Sequence, residues 1–210
     1  MNRNTREMIK LIAETVFITV AAFFVVVAFL FLLLTFTAPA AMAKLTGNLG
    51  MYRQSAWYSS MQYSYSKDVS YISDAFNYGV MAEDNQLVIE YGTTFIQAEG
   101  FEEYCDRTDE RLQYAEGYEQ YVYGTVSIAY YDSDDKDNAL RMALQGTKEE
   151  FEYYNAVTDL LYRAVYEEKD KEFANTVLAE VKKVNYEDEQ SKANVALYTA
   201  NMQSVINTLT

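Results

Sequence analysis

The sequence predicts an all-α protein: one N-terminal transmembrane helix, then a stack of α-helical hairpins closed by a C-terminal capping helix. Three observations carry this. A long uncharged apolar run lies near the N-terminus. Downstream, apolar residues recur at steps of three and four, the spacing of one helix face. Period-two alternation, the strand signal, is confined to short Tyr-Ser runs such as "YSYS" at 63–66.

The first element is the apolar run. Thr15 to Ala43 carries no charge, and its centre, Val16 to Phe36, is 21 residues long. As a helix that is about 31 Å, the thickness of a bilayer's hydrocarbon core. Only a helix satisfies its own backbone in lipid. The segment therefore reads as a membrane span over 15–38, after a short cytoplasmic N-terminus, 1–14. Arg3, Arg6, Lys10 and the terminal amine precede the span, and only Lys44 and Arg53 follow closely. That bias places the N-terminus in the cytoplasm and the rest outside. The alternative is a secreted protein: "AMA", Ala41–Ala43, fits a small-x-small cleavage site, although the apolar run is longer than a signal peptide's. Residues 39–48 read as a juxtamembrane connection that holds the acidic domain, 49–210, off the bilayer.

Within that domain, helices are expected near 49–65, 68–82, 86–98, 101–115, 118–131, 135–146, 149–167, 171–184 and 188–208. The seventh follows Tyr154, Val157, Leu161, Ala164 and Val165. The eighth follows Phe173, Val177, Val181 and Val184. The last follows Val195, Tyr198, Met202, Val205 and Leu209. This last helix would cap the stack, whose final apolar face needs cover.

The corners between helices repeat. "YSYSKDVSYI", "YYDSDDKDNAL" and "VYEEKDKEFA" each run from aromatic residues through a Lys-Asp corner to an apolar restart. They begin that corner at Lys67, Lys136 and Lys169. A fourth corner, "AEGFEEY", stands near 101, so the spacing is close to 34. This resembles the tetratricopeptide repeat, whose period is 34 residues. "YGTTFIQAEGFEEY", with Gly92, and "YGTVSIAYYDSDDKDNAL", with Gly124 and Ala139, are the best matches. The resemblance covers Leu49 to about Val184. It departs from the family at bulky Tyr162, where a small residue is expected, and in lacking the closing proline, since Pro39 is the only proline.

The resemblance implies hairpins whose packing positions include Trp57, Gly92, Gly100, Phe101, Gly124, Ala139 and Ala174; for Trp57 the alternative is a place at headgroup level beside the membrane. It also implies a concave groove lined by the first helix of each hairpin, where Tyr58, Tyr91, Tyr123, Tyr130 and Tyr162 lie. The chain has 20 tyrosines. A tyrosine gives a core a large ring and gives an interface contact area at low entropic cost, so both roles stand open for these five.

Composition narrows the function. The net charge of -14 opposes binding to nucleic acid. The chain has no histidine and one cysteine, which excludes His-dependent triads, Cys-His dyads and the usual zinc sites. Cys105 reads as a core thiol, the alternatives being a reactive or intermolecular one. "DSDDKDN" fails the EF-hand pattern: counting from Asp132, Lys136 takes a ligand position, Asp137 the glycine and Ala143 the closing glutamate. That stretch reads instead as a corner in which Asp135 or Asp137 supports a helix N-terminus. The pairs Glu102–Glu103, Glu149–Glu150 and Glu167–Glu168 read as solvated faces. No catalytic, metal or cofactor residue is assigned.

The expectation is a non-enzymatic, membrane-anchored, extracytoplasmic scaffold or adaptor. It would bind a protein or peptide partner, with a basic one suiting its charge. Its architecture is similar to ancillary subunits of bacterial protein-export machinery, an analogy of layout alone. A self-assembling, homo-oligomeric envelope component is the alternative.

Overall fold

The structure is a computed structural model that describes residues 3–112, 117–152 and 154–209. Among these residues there is no strand. The helices are α1 (Arg3–Thr37), α2 (Pro39–Asn48), α3 (Tyr52–Ser66), α4 (Val69–Met81), α5 (Asn85–Ile96) and α6 (Phe101–Leu112). They continue with α7 (Tyr118–Asp132), α8 (Lys136–Gly146), α9 (Ala156–Tyr162), α10 (Lys171–Val181) and α11 (Glu189–Thr208). A π-helical turn, Arg163–Glu167, extends α9. Residues 113–115 of the expected fourth helix lie outside the described residues.

Helix α1 is long and apolar enough over Glu7–Thr37 to cross a membrane. Its phenylalanines and leucines, Phe17, Phe24 and Leu32 among them, face outward with no protein cover. The helix ends where chemistry requires it. Pro39 lacks an N–H and disfavours helical backbone at Ala38, which sits at φ -145° and ψ 55°.

The expected juxtamembrane connection is a helix instead. Pro39 stands in the first turn of α2, where a missing N–H costs nothing. Pro39, Met42, Ala43 and Thr46, at helical spacing, are buried. This face packs on α3: Met42 and Ala43 cluster with Tyr58, and the Thr46 and Ser55 hydroxyls meet at 2.8 Å. The packed domain therefore begins at Pro39 and follows directly on α1, with no free tether between them.

Antiparallel neighbours then stack. α3 packs on α4, α4 on α5, α7 on α8 and α8 on α9, and α5, α7 and α9 also pack on one another in sequence. α11 lies against α10. One continuous core runs from Ala56 to Ile206 through Phe76, Phe95, Val126, Leu161 and Val177.

The corners share a construction. Residues with left-handed backbone stand at Lys67, Gly100, Asp134 and Lys169, in steps of 33, 34 and 35. A second series, Gly50, Glu83 and Gly117, precedes α3, α5 and α7 in steps of 33 and 34. At four corners the left-handed residue is followed by an aspartate that caps the next helix. Asp68 accepts from the Ser70 N–H, Asp84 from Gln86 and Leu87, Asp135 from Asn138 and Asp170 from Phe173. The Lys-Asp pairs at 67 and 169 are therefore a helix stop followed by a helix start. At the third corner the pair that does this is Asp134–Asp135, two residues before the expected Lys136–Asp137. Asp135, not Asp137, is the cap.

The seventh expected helix is half right. Asn155 and Thr158 form a capping box, so α9 starts at Ala156 and not near 149. Before it, Phe151 is fully buried. Its N–H donates to Ser191 Oγ at 2.9 Å, and its carbonyl accepts from Asn194 Nδ2 at 2.9 Å. Its ring packs beside Tyr186 and Tyr198. The backbone bonds that a helix would have taken at Phe151 go to α11.

Candidate functional site

The first helices α5, α7 and α9 form one layer, and α3 touches its edge at α5 while packing mainly on α4. Their close approach is set by small residues. A Cβ on Gly92 would overlap Val126 Cγ2 of α7 and come within 3.1 Å of Phe76 Cδ2. A Cβ on Gly124 would meet only the Asp159 carboxylate, at 2.7 Å, and Ala156 Cα, at 3.5 Å. Ser59, also buried, takes the matching place on α3.

The proposed groove tyrosines do not form a groove. Tyr58, Tyr91 and Tyr123 are buried, 7, 7 and 6% exposed, and leave almost no ring for a partner. Tyr130 is half-buried. Tyr162 is open at 56%, its ring 5.1 Å from that of Tyr166. The physical reason is phase: tyrosines that precede the small contact residue share its inward side. Two residues on, about 200° around the helix, Ser60, Thr93, Thr125 and Asp159 are partly exposed. One further turn along stand Tyr63, Ile96, Ile128 and Arg163, also partly exposed, with Tyr63 and Ile96 resting in part on the core. These two rows mark the open side of the layer, and the tyrosine signal pointed away from them.

Of the packing candidates, Gly92, Gly124, Phe101, Ala139 and Ala174 are buried. Gly100 is an open corner at φ +82°. Trp57 is a correction. It is 46% exposed, and its neighbours are the buried ones, Ala56 in the main core and Tyr58 against α2. Gly79 and Gly146 are close-contact residues missing from the expected set, facing the Leu87–Val88 backbone and the Tyr123 ring. Their signal is a small residue in the middle or last turn of an amphipathic helix.

The open layer ends at a charged corner. Arg163 donates to both carboxylate oxygens of Asp132, at 2.9 and 3.1 Å. It also bonds Glu167 and pairs with Glu168 at 3.3 Å. Lys136 donates to Asp170 at 2.6 Å, and the Tyr131 hydroxyl donates to the same oxygen at 3.1 Å. Burial opposes ionisation of Asp170, but Lys136, the Phe173 N–H and Tyr131 hold its carboxyl below the usual range. The acids of "DSDDKDN" and its neighbour thus face two cations and two helix ends.

The α6–α7 face is the electrical opposite. Burial, then Glu102, Glu149, Asp106 and Asp109, raise the Glu119 carboxyl above the ordinary range. Cys105, 1% exposed, lies among the same acids. Burial first and these charges second push its thiol far up, so it stays protonated and inert. Among the described residues no group of three or more Cys, Asp or Glu side chains is placed to hold a metal ion.

Comparison of the chain with protein-family models, with curated proteins and with solved structures gives no match.

Proposed function

We propose that the chain is a membrane-anchored, extracytoplasmic scaffold that binds a protein or peptide on the open side of its first-helix layer. The observation that carries this is the layer itself. Three helices, α5, α7 and α9, with α3 at their edge, present two rows at a period near 34, one of polar residues and one of larger side chains. Such a surface suits an extended partner held by shape and charge, with no covalent step. The acidic balance favours a basic partner. The charge bias around α1 supports an outside domain. The burial of Pro39 and Met42 supports a retained anchor, because cleavage after Ala43 would remove both from the contact with α3. A role beside protein export or envelope assembly rests on layout alone.

The test is photo-crosslinking of the full-length protein in its native membrane, with the crosslinker at Thr93 or Thr125 and, as control, at Thr176 of α10. The reading expects a distinct protein captured from the first two positions and not the third, with capture weakening in salt. Crosslinks only between copies of the chain would favour the self-assembling component, for which exposed Tyr162 and Tyr166 are the natural contacts. A C-terminal topology reporter active in the cytoplasm would overturn the location.

A further inference from the structure

The span and the domain touch. Every large apolar residue of α1 is open, yet Thr35 is only 7% exposed, and its Oγ1 lies 3.4 Å from the hydroxyl of Tyr58 on α3. Thr35 is one residue short of the end of the apolar run at Phe36. If that run fills the hydrocarbon core, Tyr58 sits at the boundary between acyl chains and headgroups. Trp57 is its neighbour, ring centroids 4.9 Å apart. Its indole is nearly half-exposed, with no protein covering the rest. Leu45 and Leu49, on and just after α2, are exposed at 47 and 67%.

Charge divides the molecule at the same place. No Asp or Glu occurs between Glu14 and Asp68, so all but two of the chain's 31 acidic residues lie at Asp68 or beyond. The stretch that includes α2 and α3 carries only Lys44, Arg53 and Lys67. Arg53 reaches Asp84 at 3.0 Å. The α2–α3 end of the domain nearest α1 carries no acid of its own, and Asp74 of α4 and Asp84 lie beside its Lys44 and Arg53. An exposed Trp beside a span, as Trp57 is, is also a side chain that settles at headgroup level.

We propose that α2 and the Trp57–Tyr58 region of α3 form a foot that rests in the headgroup layer of the bilayer α1 crosses. This rests on the membrane-anchor reading above. The occupant of the exposed apolar patch is lipid. The consequence is a stack held in a fixed pose, its acidic charge turned away from the membrane.

Trp57 is the chain's single tryptophan and therefore its own probe. The full-length protein is reconstituted in phosphatidylcholine vesicles containing a minor fraction of phosphatidylglycerol. Emission is quenched either by lipids brominated near the glycerol or by aqueous iodide. The comparator carries Trp57→Phe and Leu197→Trp, moving the probe to an exposed site on α11. The foot predicts that shallow bromines quench Trp57 while iodide does not, and that the α11 probe behaves the opposite way. Trp57 open to iodide and blind to bromines, in vesicles that retain the protein against carbonate extraction, overturns the foot and leaves the anchor standing. Trp57 shielded from both quenchers assigns the patch to protein and also overturns it. Release of the protein by carbonate instead overturns the anchor.

Discussion

Two joints hold neighbouring hairpins together, and they are built from different materials. Between α5 and α7 the joint is dry. Gly92 admits Val126, and Phe95, fully buried, meets Phe101 edge-on at 4.9 Å and lies near Phe76 and Tyr118. Between the α7–α8 corner and the α9–α10 corner the joint is wet. It is made of Asp132 with Arg163 and of Lys136 with Asp170 and Tyr131, all partly in contact with water. A dry joint depends on volume and ignores ions. A wet joint tolerates volume and depends on pH and salt. The α7–α9 seam is packed as well, with Gly124 close to Ala156, so the charged corner adds to a packed joint and the period does not reveal it.

The largest effect should come from spoiling the dry joint. Gly92→Val puts two methyl groups against Val126 and Phe76, and overpacking of this kind costs about 2–3 kcal/mol. Urea unfolding of the full chain in detergent micelles should show the loss, equal at low and high salt. Asp132→Asn comes next. It removes a two-pronged, charge-assisted contact to Arg163, for about 1 kcal/mol. That loss should shrink as salt rises, and a salt-independent loss would mean that the corner is held by packing.

The pH dependence sharpens the contrast further. The folded Asp170 carboxyl lies below its ordinary range, so its contribution is complete above that range and disappears as pH falls through the lowered value. Asp170→Asn should flatten this acid limb of the stability profile. Glu119 has the opposite sign: its raised value means that ionisation opposes folding at neutral pH. Glu119→Gln should stabilise the protein at pH 7, with the gain vanishing as acid protonates the native glutamate. The smallest effect is expected at Gly124→Ala. The added methyl displaces only the tip of Asp159, and the better helix propensity of alanine offsets this, leaving a change within about 0.5 kcal/mol.

Legibility followed locality. The corner at Lys67–Asp68 could be read because left-handed backbone and an N-cap aspartate are requirements of a few adjacent residues. The phase of the first helices could not. Tyr91 and Thr93 are two positions apart and look equally able to face a partner, and only the contact at Gly92 decides which turns inward. α2 was hidden for a similar reason. Ala, Gly and Thr in "PAAMAKLTGN" suggest a linker until α3 supplies the surface that buries Met42 and Thr46. The expected helix start near 149 failed because Ser191 and Asn194 offer the Phe151 backbone partners some 40 residues away, and no local pattern reports them.

Sequence by itself determined that the chain is helical, that its first helix can cross a membrane, that its corners recur near every 34 residues, and that its acids begin only at Asp68. Each is a matter of composition or near-neighbour spacing, where backbone preference and hydropathy act residue by residue. Tertiary structure alone decided that the domain starts at Pro39, that three of the conspicuous tyrosines are core, that Trp57 is open beside the end of the span, and that Arg163 and Lys136 neutralise one corner while Glu119 stays crowded by like charges. These depend on which surfaces meet across long stretches of chain, and burial and charge pairing are properties of the meeting, not of either residue.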